Sequence, residues 1–379
     1  MKPVSVPELT LSPHMKLIQT LHGPLFVLAT DTTVGRSLIE YGEWSAREIE
    51  LLRQALRPGD RVIDIGANIG THTISLAKIV GPQGSVLAFE PQPLIFQLLA
   101  ANVLINRAAN TELVLGACGA IGGTVALAGI DYTRDGQYSA LSLADLQRLS
   151  HQTSAAIQTV NTFVLDDMYG ADRLRLIKID VEGMEKEVLR GAERLIERHR
   201  PTLYIENEWP ETSEELLRTL ASLDYRSFWH MIPLYNPDNY YGNPCNRFGH
   251  ASIVNNLCIP SEMSFDAYNL QPVVDPSEHP RRSVTKKAVA LNEKAAAVLS
   301  SRAASLQAAG QHGEAIALYG RALVLDPKCV AALVQLASAL EALGRLEEAL
   351  ASYDNALAIE AENKEAIRGR VRALKQLRP

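Results

Sequence analysis

The sequence predicts an α/β fold, in which a largely parallel sheet has helices on both faces, followed by a small all-α domain. In residues 1–262, short runs of β-favouring apolar residues alternate with longer amphipathic runs. This alternation is typical of a parallel sheet covered by helices. In residues 290–379, the same residue types recur every 34 positions, which is typical of a helical repeat. Residues 263–289 are rich in proline and charge, and we expect them to form a linker.

The alternating region supplies five core strands. Each strand is short and apolar, and all but the third are followed directly by a run with helical spacing. Residues 122–164 interrupt the alternation and are expected to add a β-hairpin or helical decoration. The sequences YRSFWH and ASIVNNLCIP, residues 225–230 and 251–260, are candidates for the last strands. The five core strands are RVIDI (61–65), SVLAFE (85–90), ELVLGAC (112–118), LRLIKID (174–180) and TLYIE (202–206).

Composition excludes several classes of protein. Of the 379 residues, 47% are hydrophobic and 21% are charged, as in an ordinary globular protein. The amino terminus lacks the apolar core of a signal peptide, and no stretch supplies the roughly 20 apolar residues of a membrane span. We therefore expect a cytoplasmic protein without a membrane span. The four cysteines show no Cys-x-x-Cys spacing, and the net charge of −6 gives no general attraction to nucleic acid.

The repeat occupies the last quarter of the chain. Its period and its alternation of small and large residues match the tetratricopeptide pattern. We predict two helical hairpins, followed by a capping helix formed by KEAIRGRVRALKQLRP, residues 364–379. Since a solenoid usually needs about three repeats to bury a continuous core, we expect the array to dock on the rest of the chain, on a second copy or on a protein partner. The pairs 34 positions apart are Leu299 and Leu333, Leu306 and Leu340, Gly310 and Gly344, Ala315 and Ala349, Tyr319 and Tyr353, and Ala322 and Ala356.

A glycine-containing turn follows the first core strand. Asp64, Gly66, Asn68 and Gly70 form Asp-x-Gly-x-Asn-x-Gly where the strand passes into a helix. Glycines there let a ligand approach the backbone, and the start of the helix offers unpaired N–H groups. The turn lacks the Gly-Lys-Ser/Thr of a triphosphate site and the Gly-x-Gly-x-x-Gly of a dinucleotide site, which leaves S-adenosylmethionine as the candidate. Glu90 ends the second strand, where its oxygens are suited to accept both ribose hydroxyls. The alternative explanation is that Gly66 and Gly70 serve only tight turning and helix packing, and that Glu90, which precedes Pro91, only caps a helix.

The chain resembles an FkbM-family methyltransferase over roughly residues 35–260, through VIDIGANIGTHTISLAKIVGPQGSVLAFEPQP, LIKIDVEGMEKEVLRGA and RPTLYIENE. The resemblance implies a Rossmann-like class I methyltransferase sheet and S-adenosyl-L-methionine as cofactor. Members of this family typically methylate hydroxyl oxygens of sugars or polyketide-type natural products. One departure is the end of the third strand, which offers no carboxylate to the adenine amine. By resemblance, the cofactor loop comprises Asp64, Gly66, Ala67, Asn68, Gly70 and Thr71, the ribose carboxylate is Glu90, and the Lys-x-Asp-x-Glu-Gly motif is Lys178, Asp180, Glu182 and Gly183.

Methyl transfer to an alcohol requires alignment of the acceptor and a base within about 3 Å. Ligands of open parallel sheets bind beyond the carboxyl ends of the strands, where Asp180, Glu182 and Glu206 are expected, and Asp180 also adjoins the cofactor. His230 is a further candidate base because its usual pKa is near neutrality. Helix capping, loop hydrogen bonds and a structural histidine are the alternatives for these four candidate catalytic residues. No histidine at ligand spacing accompanies the carboxylates, so no metal is predicted.

Two functions from different classes fit the sequence. The preferred function is an S-adenosylmethionine-dependent O-methyltransferase of a carbohydrate, glycosylated or natural-product acceptor, whose repeats recruit a partner. The alternative is a non-catalytic repeat adaptor that carries a relic Rossmann-like domain. Presence of the cofactor loop together with Glu90, Asp180 and Glu182 favours the enzyme. A dehydrogenase is disfavoured by the spacing of the turn.

Overall fold

The computed structural model describes residues 9–138, 141, 157–170, 173–264, 270–326 and 328–377. The chain divides into two compact units, Met1–His279 and Pro280–Pro379. This division falls inside the segment 263–289 that we expect to be a linker, part of which lies outside the described residues. Within that segment the structure has a two-residue strand at Gln271–Pro272 and a helix that begins at Pro280.

Two sheets form within the described part of the first unit. The smaller one is antiparallel and contains β1 (Leu9–Ser12), β2 (Met15–Thr20) and β3 (Gly23–Leu28). The larger one has ten strands in the order β13-β11-β12-β10-β9-β4-β5-β6-β8-β7. Its strands are β4 (Arg61–Ile65), β5 (Ser85–Glu90), β6 (Thr111–Cys118), β7 (Gly123–Ala128), β8 (Ile157–Phe163), β9 (Leu176–Ile179), β10 (Thr202–Glu206), β11 (Tyr225–Pro233), β12 (Ser252–Pro260) and β13 (Gln271–Pro272).

The six strands from β10 to β8 pair in parallel, and antiparallel strands extend both edges. The prediction of a largely parallel sheet is therefore confirmed, as is the assignment of β11 and β12 as late strands. The predicted decoration after the third core strand contains an antiparallel pair, β7 with β8, while residues 139–140 and 142–156 lie outside the described part.

Helices cover both faces of the large sheet, as predicted. On one face, Ile63 and Ile177 pack under the helices that follow β9 and β10. On the other, Val62 and Tyr204 pack under the helices on either side of β4. The helices of this unit are α1 (Val34–Tyr41), α2 (Ala46–Ala55), α3 (Thr71–Val80), α4 (Pro93–Ile105), α5 (Leu165–Met168), α6 (Glu185–Arg190), α7 (Glu193–His199) and α8 (Pro210–Ser222).

The run 183–199, which has the spacing of one helix, forms two short helices, α6 and α7. The break falls at Gly191 and Ala192. A Cβ atom on Gly191 would lie 2.1 Å from the carbonyl oxygen of Gly119. The chain is therefore held against the loop after β6, and this close approach separates the two helices.

The second unit is all-helical within its described residues. Small alanines line the contacts between its helices, and Tyr319 and Tyr353 are buried among them. The described part of the whole chain contains no helix that is both long and apolar enough to cross a membrane. The helices are α9 (Pro280–Ala308), α10 (His312–Leu325), α11 (Val330–Ala342), α12 (Leu346–Ile359) and α13 (Lys364–Leu377).

The strand order of the large sheet reverses at β4. The next strand in sequence, β5, pairs with one side of β4, and β9 pairs with the other side. In open α/β sheets, such a reversal opens a crevice beyond the carboxyl ends of the two strands. The turns that follow β4 and β9 both lie at this crevice.

Candidate functional site

The glycines of the turn after β4 are required by the packing of the protein itself. Gly66 has a φ of +78° and Gly70 a φ of +96°, a region that disfavours other residues. A Cβ on Gly66 would lie 1.8 Å from the carbonyl oxygen of Asp180, and one on Gly70 would lie 2.8 Å from Cδ1 of Leu99. Tight turning and packing, the alternative explanation of these glycines, therefore apply whether or not a ligand binds.

Most N–H groups of this turn are satisfied internally. Gly66 and Ala67 donate to the Phe89 carbonyl, and the Asn68 N–H donates to Oε2 of Glu90 over 2.9 Å. Thr71 begins α3, and no side chain caps the first turn of this helix. The backbone N–H groups at the start of α3 are therefore directed into the crevice, where a carboxylate is favoured by hydrogen bonding and by the helix dipole.

Glu90 is buried at the end of β5 and holds the turn. Its side chain accepts one hydrogen bond from the Asn68 N–H and one from the Gln92 N–H, both over 2.9 Å. Burial raises the pKa of Glu90 to about 7, although these two hydrogen bonds act in the opposite direction. A carboxylate has further lone pairs, so an ionised Glu90 retains the capacity to accept hydroxyl donors.

A cavity is lined by Gln92, which lies two residues after Glu90. Its volume is about 360 Å³, and its walls include the apolar side chains of Leu94, Leu127 and Ile130. The Gln92 amide is fixed by the Tyr132 hydroxyl, which donates to its oxygen over 2.9 Å. The volume falls in the range of small-molecule sites.

A buried lysine of β9 links the end of β4 to the turn after β9. Nζ of Lys178 lies 3.3 Å from Oδ1 of Asp64 and 3.1 Å from Oδ2 of Asp180. Asp64 also accepts a hydrogen bond from the Thr73 hydroxyl over 2.6 Å, which fixes the first turn of α3. Burial lowers the pKa of Lys178, but the charges of Asp180 and Asp64 outweigh it and raise the pKa overall. Lys178 is therefore ionised, and Asp64 acts inside the fold rather than at its surface.

Three carboxylates meet at the turn after β9. Oxygen atoms of Asp180, Glu182 and Glu206 lie within 4.8 Å of one another. Glu182 has a φ of +54°, which is uncommon for a residue with a side chain, and its N–H donates to Oε2 of Glu206 over 3.2 Å. The spacing would also suit a cation, but Lys178 already supplies a positive charge beside Asp180, and we assign no metal.

The members of this carboxylate cluster differ in ionisation. Burial opposes ionisation of Asp180, but the neighbouring Lys178 lowers its pKa below the ordinary value. Burial and the charge of Asp180 raise the pKa of Glu206 well above its ordinary value. Asp180 is thus the charged partner, and Glu206 is the one that retains a proton.

His230 lies on β11, and among the described residues no hydrogen bond or ion pair joins it to the carboxylate cluster. Its Nδ1 lies 2.9 Å from the Tyr204 hydroxyl, which also accepts a hydrogen bond from Asn255 Nδ2 over 2.9 Å. The Tyr204 proton is therefore directed to Nδ1, and neutral His230 carries its own proton on Nε2. Burial lowers its pKa. His230 is arranged as a hydrogen-bond donor, and its assignment as a base stays a prediction.

A buried Glu48–His72 pair was not identified from the sequence. Oε2 of Glu48 lies 2.8 Å from Nε2 of His72, and both side chains are almost fully buried. Glu48 belongs to α2 and His72 to the first turn of α3. His72 also helps to lower the pKa of Asp180. The only signal in the sequence is a polar residue on the core-facing side of each helix, which does not pair the two.

Two family models match the chain. Residues 64–227 match the methyltransferase FkbM domain, and residues 306–376 match the tetratricopeptide repeat. The resemblance inferred from the sequence is therefore confirmed over these two segments.

The matches between this chain and its named relatives cover only part of each relative's length. Hexuronic acid methyltransferase AglP of Haloferax volcanii is 31% identical over 143 residues, 38% of this chain and 54% of AglP. The 31-O-demethyl-FK506 methyltransferase FkbM of Streptomyces tacrolimicus is 48% identical over 54 residues, 14% of this chain and 20% of that protein. The crystal structure of methyltransferase FkbM from Methylobacillus flagellatus is 17% identical with a TM-score of 0.33, covering 56% of this chain and 50% of that one. The chain thus spans about half, or less, of these relatives.

Proposed function

We propose that this chain, which carries a methyltransferase FkbM domain and tetratricopeptide repeats, is an S-adenosylmethionine-dependent O-methyltransferase. Its acceptor would be a hydroxyl of a carbohydrate or glycosylated natural product, and its repeats would recruit a protein partner. The observation that carries the proposal is the crevice between β4 and β9. The uncapped start of α3 follows β4, the buried Glu90 ends the neighbouring β5, and the carboxylate cluster of Asp180, Glu182 and Glu206 lies at the turn after β9.

The described residues fit the cofactor at three points. The N–H groups at the start of α3 suit the carboxylate of its methionine part. Glu90, when ionised, suits the two ribose hydroxyls. The cavity beside Gln92, with its apolar walls and volume of about 360 Å³, suits the adenine ring. When bound, the cofactor would supply an activated methyl group, so the remaining task of the protein is to align and deprotonate the acceptor.

The carboxylate cluster is suited to take the acceptor's proton. Lys178 lowers the pKa of Asp180, whereas burial and the charge of Asp180 raise the pKa of Glu206. We assign the coupled Asp180–Glu206 pair as the base and Glu182 as a residue that orients the hydroxyl. In this assignment His230 donates a hydrogen bond from Nε2 to the acceptor rather than removing its proton.

A hydroxyl-rich acceptor is supported by the surroundings of His230. This residue lines a cleft of about 590 Å³ together with Arg47, Glu50, Gln54 and Asp238. Such side chains pair readily with vicinal hydroxyls. The named substrate class of AglP, a hexuronic acid, points in the same direction. We propose that the protein acts in the cytoplasm.

Transfer of labelled methyl from S-adenosylmethionine to a panel of hexoses, hexuronic acids and their glycosides tests the activity. We expect product with at least one sugar, loss of most of the rate in Asp180→Asn, and a changed pH profile in Glu206→Gln. Cofactor binding without transfer to any hydroxylated acceptor would contradict the O-methyltransferase assignment, and absence of cofactor binding would favour the adaptor.

Removal of the repeats tests recruitment. The chain should be cut after His279, because β13 pairs with β11 and His279 Nε2 donates to the Asn207 carbonyl over 2.7 Å. We expect the shortened chain to keep methyl transfer to a small sugar and to lose rate on the natural acceptor complex. Full rate on that complex would argue against recruitment.

A further inference from the structure

The last helix, α13, exposes a stripe of apolar side chains. Ile367 is 42% exposed and Val371 is 46% exposed, and half-buried Leu374 continues the row at helical spacing. The opposite side of α13 packs on the unit through Ala366, Gly369 and Ala373, which are buried. The stripe is therefore a second face of the helix, separate from the face that holds it in the unit.

The same face is covered in the preceding repeat. The residues 34 positions earlier are Leu333, Ala337 and Leu340 on α11, which are buried. They pack in one cluster with Tyr353 and Ala356 of α12. Each first helix of the array thus uses this face to receive a second helix. The corresponding positions of α13 are all apolar, with Val371 in place of Ala337. Within the described residues, no second helix packs on this face of α13.

Basic residues run along one edge of the stripe. Lys364, Arg368 and Lys375 are exposed and make no ion pair within the described part of the chain. At 100° per residue, all three fall beside Val371 on the same side of the helix. The other two arginines of α13 are engaged with acidic residues of the helices beneath: Arg370 with Asp354 and Arg372 with Glu341.

We propose that this α13 stripe, Ile367, Val371 and Leu374 with its basic edge, binds an acidic amphipathic α-helix of a protein partner. Small and aromatic residues would face the stripe, as Ala356 and Tyr353 face α11, and carboxylates would pair with Lys364, Arg368 and Lys375. Like charges disfavour a second copy of α13 on the same face. This rests on the recruiting role proposed for the repeats and is independent of methyl transfer.

A peptide with the sequence of α12, LEEALASYDNALAI, is a suitable probe. In this chain α12 already packs on the equivalent face of α11, so the peptide has a matching apolar face. It also carries Glu347, Glu348 and Asp354 and has no basic residue. We expect a labelled, end-capped peptide to bind the full-length chain with micromolar affinity in fluorescence anisotropy, and to bind less tightly as salt is raised. The same peptide with its three acids replaced by lysine should bind at least about tenfold more weakly.

Two substitutions test whether the peptide binds at the α13 stripe. Val371→Asp should weaken binding at least about tenfold, because it puts a charge within the apolar contact. Val298→Asp, on α9 and 69% exposed, is the matched control and should leave binding unchanged. Circular dichroism checks the helices of each variant, and if Val371→Asp loses helix, the double variant Arg368→Glu and Lys375→Glu gives the same test through the charged edge.

Equal binding by the original chain and by these variants would overturn the proposal. Absence of binding at millimolar peptide would do the same. A dimer that forms without peptide and is lost in Val371→Asp would identify a second copy as the occupant and would also contradict it. Because no outcome depends on methyl transfer, failure here leaves the proposed enzymatic function to be judged by its own assay.

Discussion

The turns after β4 and β9 lie side by side at the same edge of the sheet, but different interactions fix their conformations. The turn after β4 is fixed by shape, because Gly66 has no room for a Cβ beside the Asp180 carbonyl. The turn after β9 is fixed by charge, because Lys178 lies between Asp64 and Asp180. The first presents backbone donors and the second presents carboxylates. The crevice therefore combines a region suited to an anionic cofactor group with one suited to a proton-donating acceptor.

Gly66→Ala is expected to have the largest effect on this pair of turns. Its Cβ would lie 1.8 Å from a backbone oxygen at a φ of +78°, so both turns must shift. We expect the free energy of unfolding to fall by more than about 4 kcal/mol in urea titration. Gly59→Ala is the control, since Gly59 has a φ of +91° with nothing within 4 Å, and should cost about 1 kcal/mol. Equal small losses would show that shape does not fix the first turn.

Lys178→Met tests the role of charge in the second turn. It leaves the carboxylates of Asp64 and Asp180 without their buried partner, and we expect a loss of about 3 kcal/mol in the free energy of unfolding. The matched control is Lys186→Met, because Lys186 pairs with Glu215 at the protein surface and its loss should cost less than about 1 kcal/mol. If the two variants lose the same stability, the buried ion pairs do not fix the turn.

The pH dependence of the stability of Glu206→Gln tests the ionisation of the carboxylates at the second turn. The pKa of Glu206 is raised in the folded state, so its contribution to stability is fully present below its unfolded pKa and is lost as pH rises through the folded pKa. Gln cannot ionise, so the stability of the variant relative to the original chain should increase with pH, by on the order of 1 kcal/mol. Thermal unfolding at pH 5 and pH 8 measures this difference. A difference that is constant or falls with pH would contradict the protonated assignment of Glu206.

The sequence indicated those residues of the candidate site whose positions depend on local chemistry. Glu90 and the carboxylates at 180 and 182 follow from strand ends and from one motif. The Glu48–His72 pair could not be predicted from the sequence, because its two residues belong to different helices whose contact is set by tertiary packing. The proton position on His230 depends on Tyr204 and Asn255 of neighbouring strands, and the break between α6 and α7 depends on the distant Gly119.

Calorimetric titration with S-adenosylmethionine tests the central claim that Glu90 and the turn after β4 bind this cofactor. The pKa of Glu90 is raised by burial to about 7, and only its ionised form accepts two hydroxyls. The expected result is micromolar binding that tightens up to about tenfold from pH 6 to pH 8, no binding of NADH, and weak, pH-independent binding to Glu90→Gln. Equal affinity for the original chain and a folded Glu90→Gln, or binding of neither cofactor, would contradict the site and favour the adaptor.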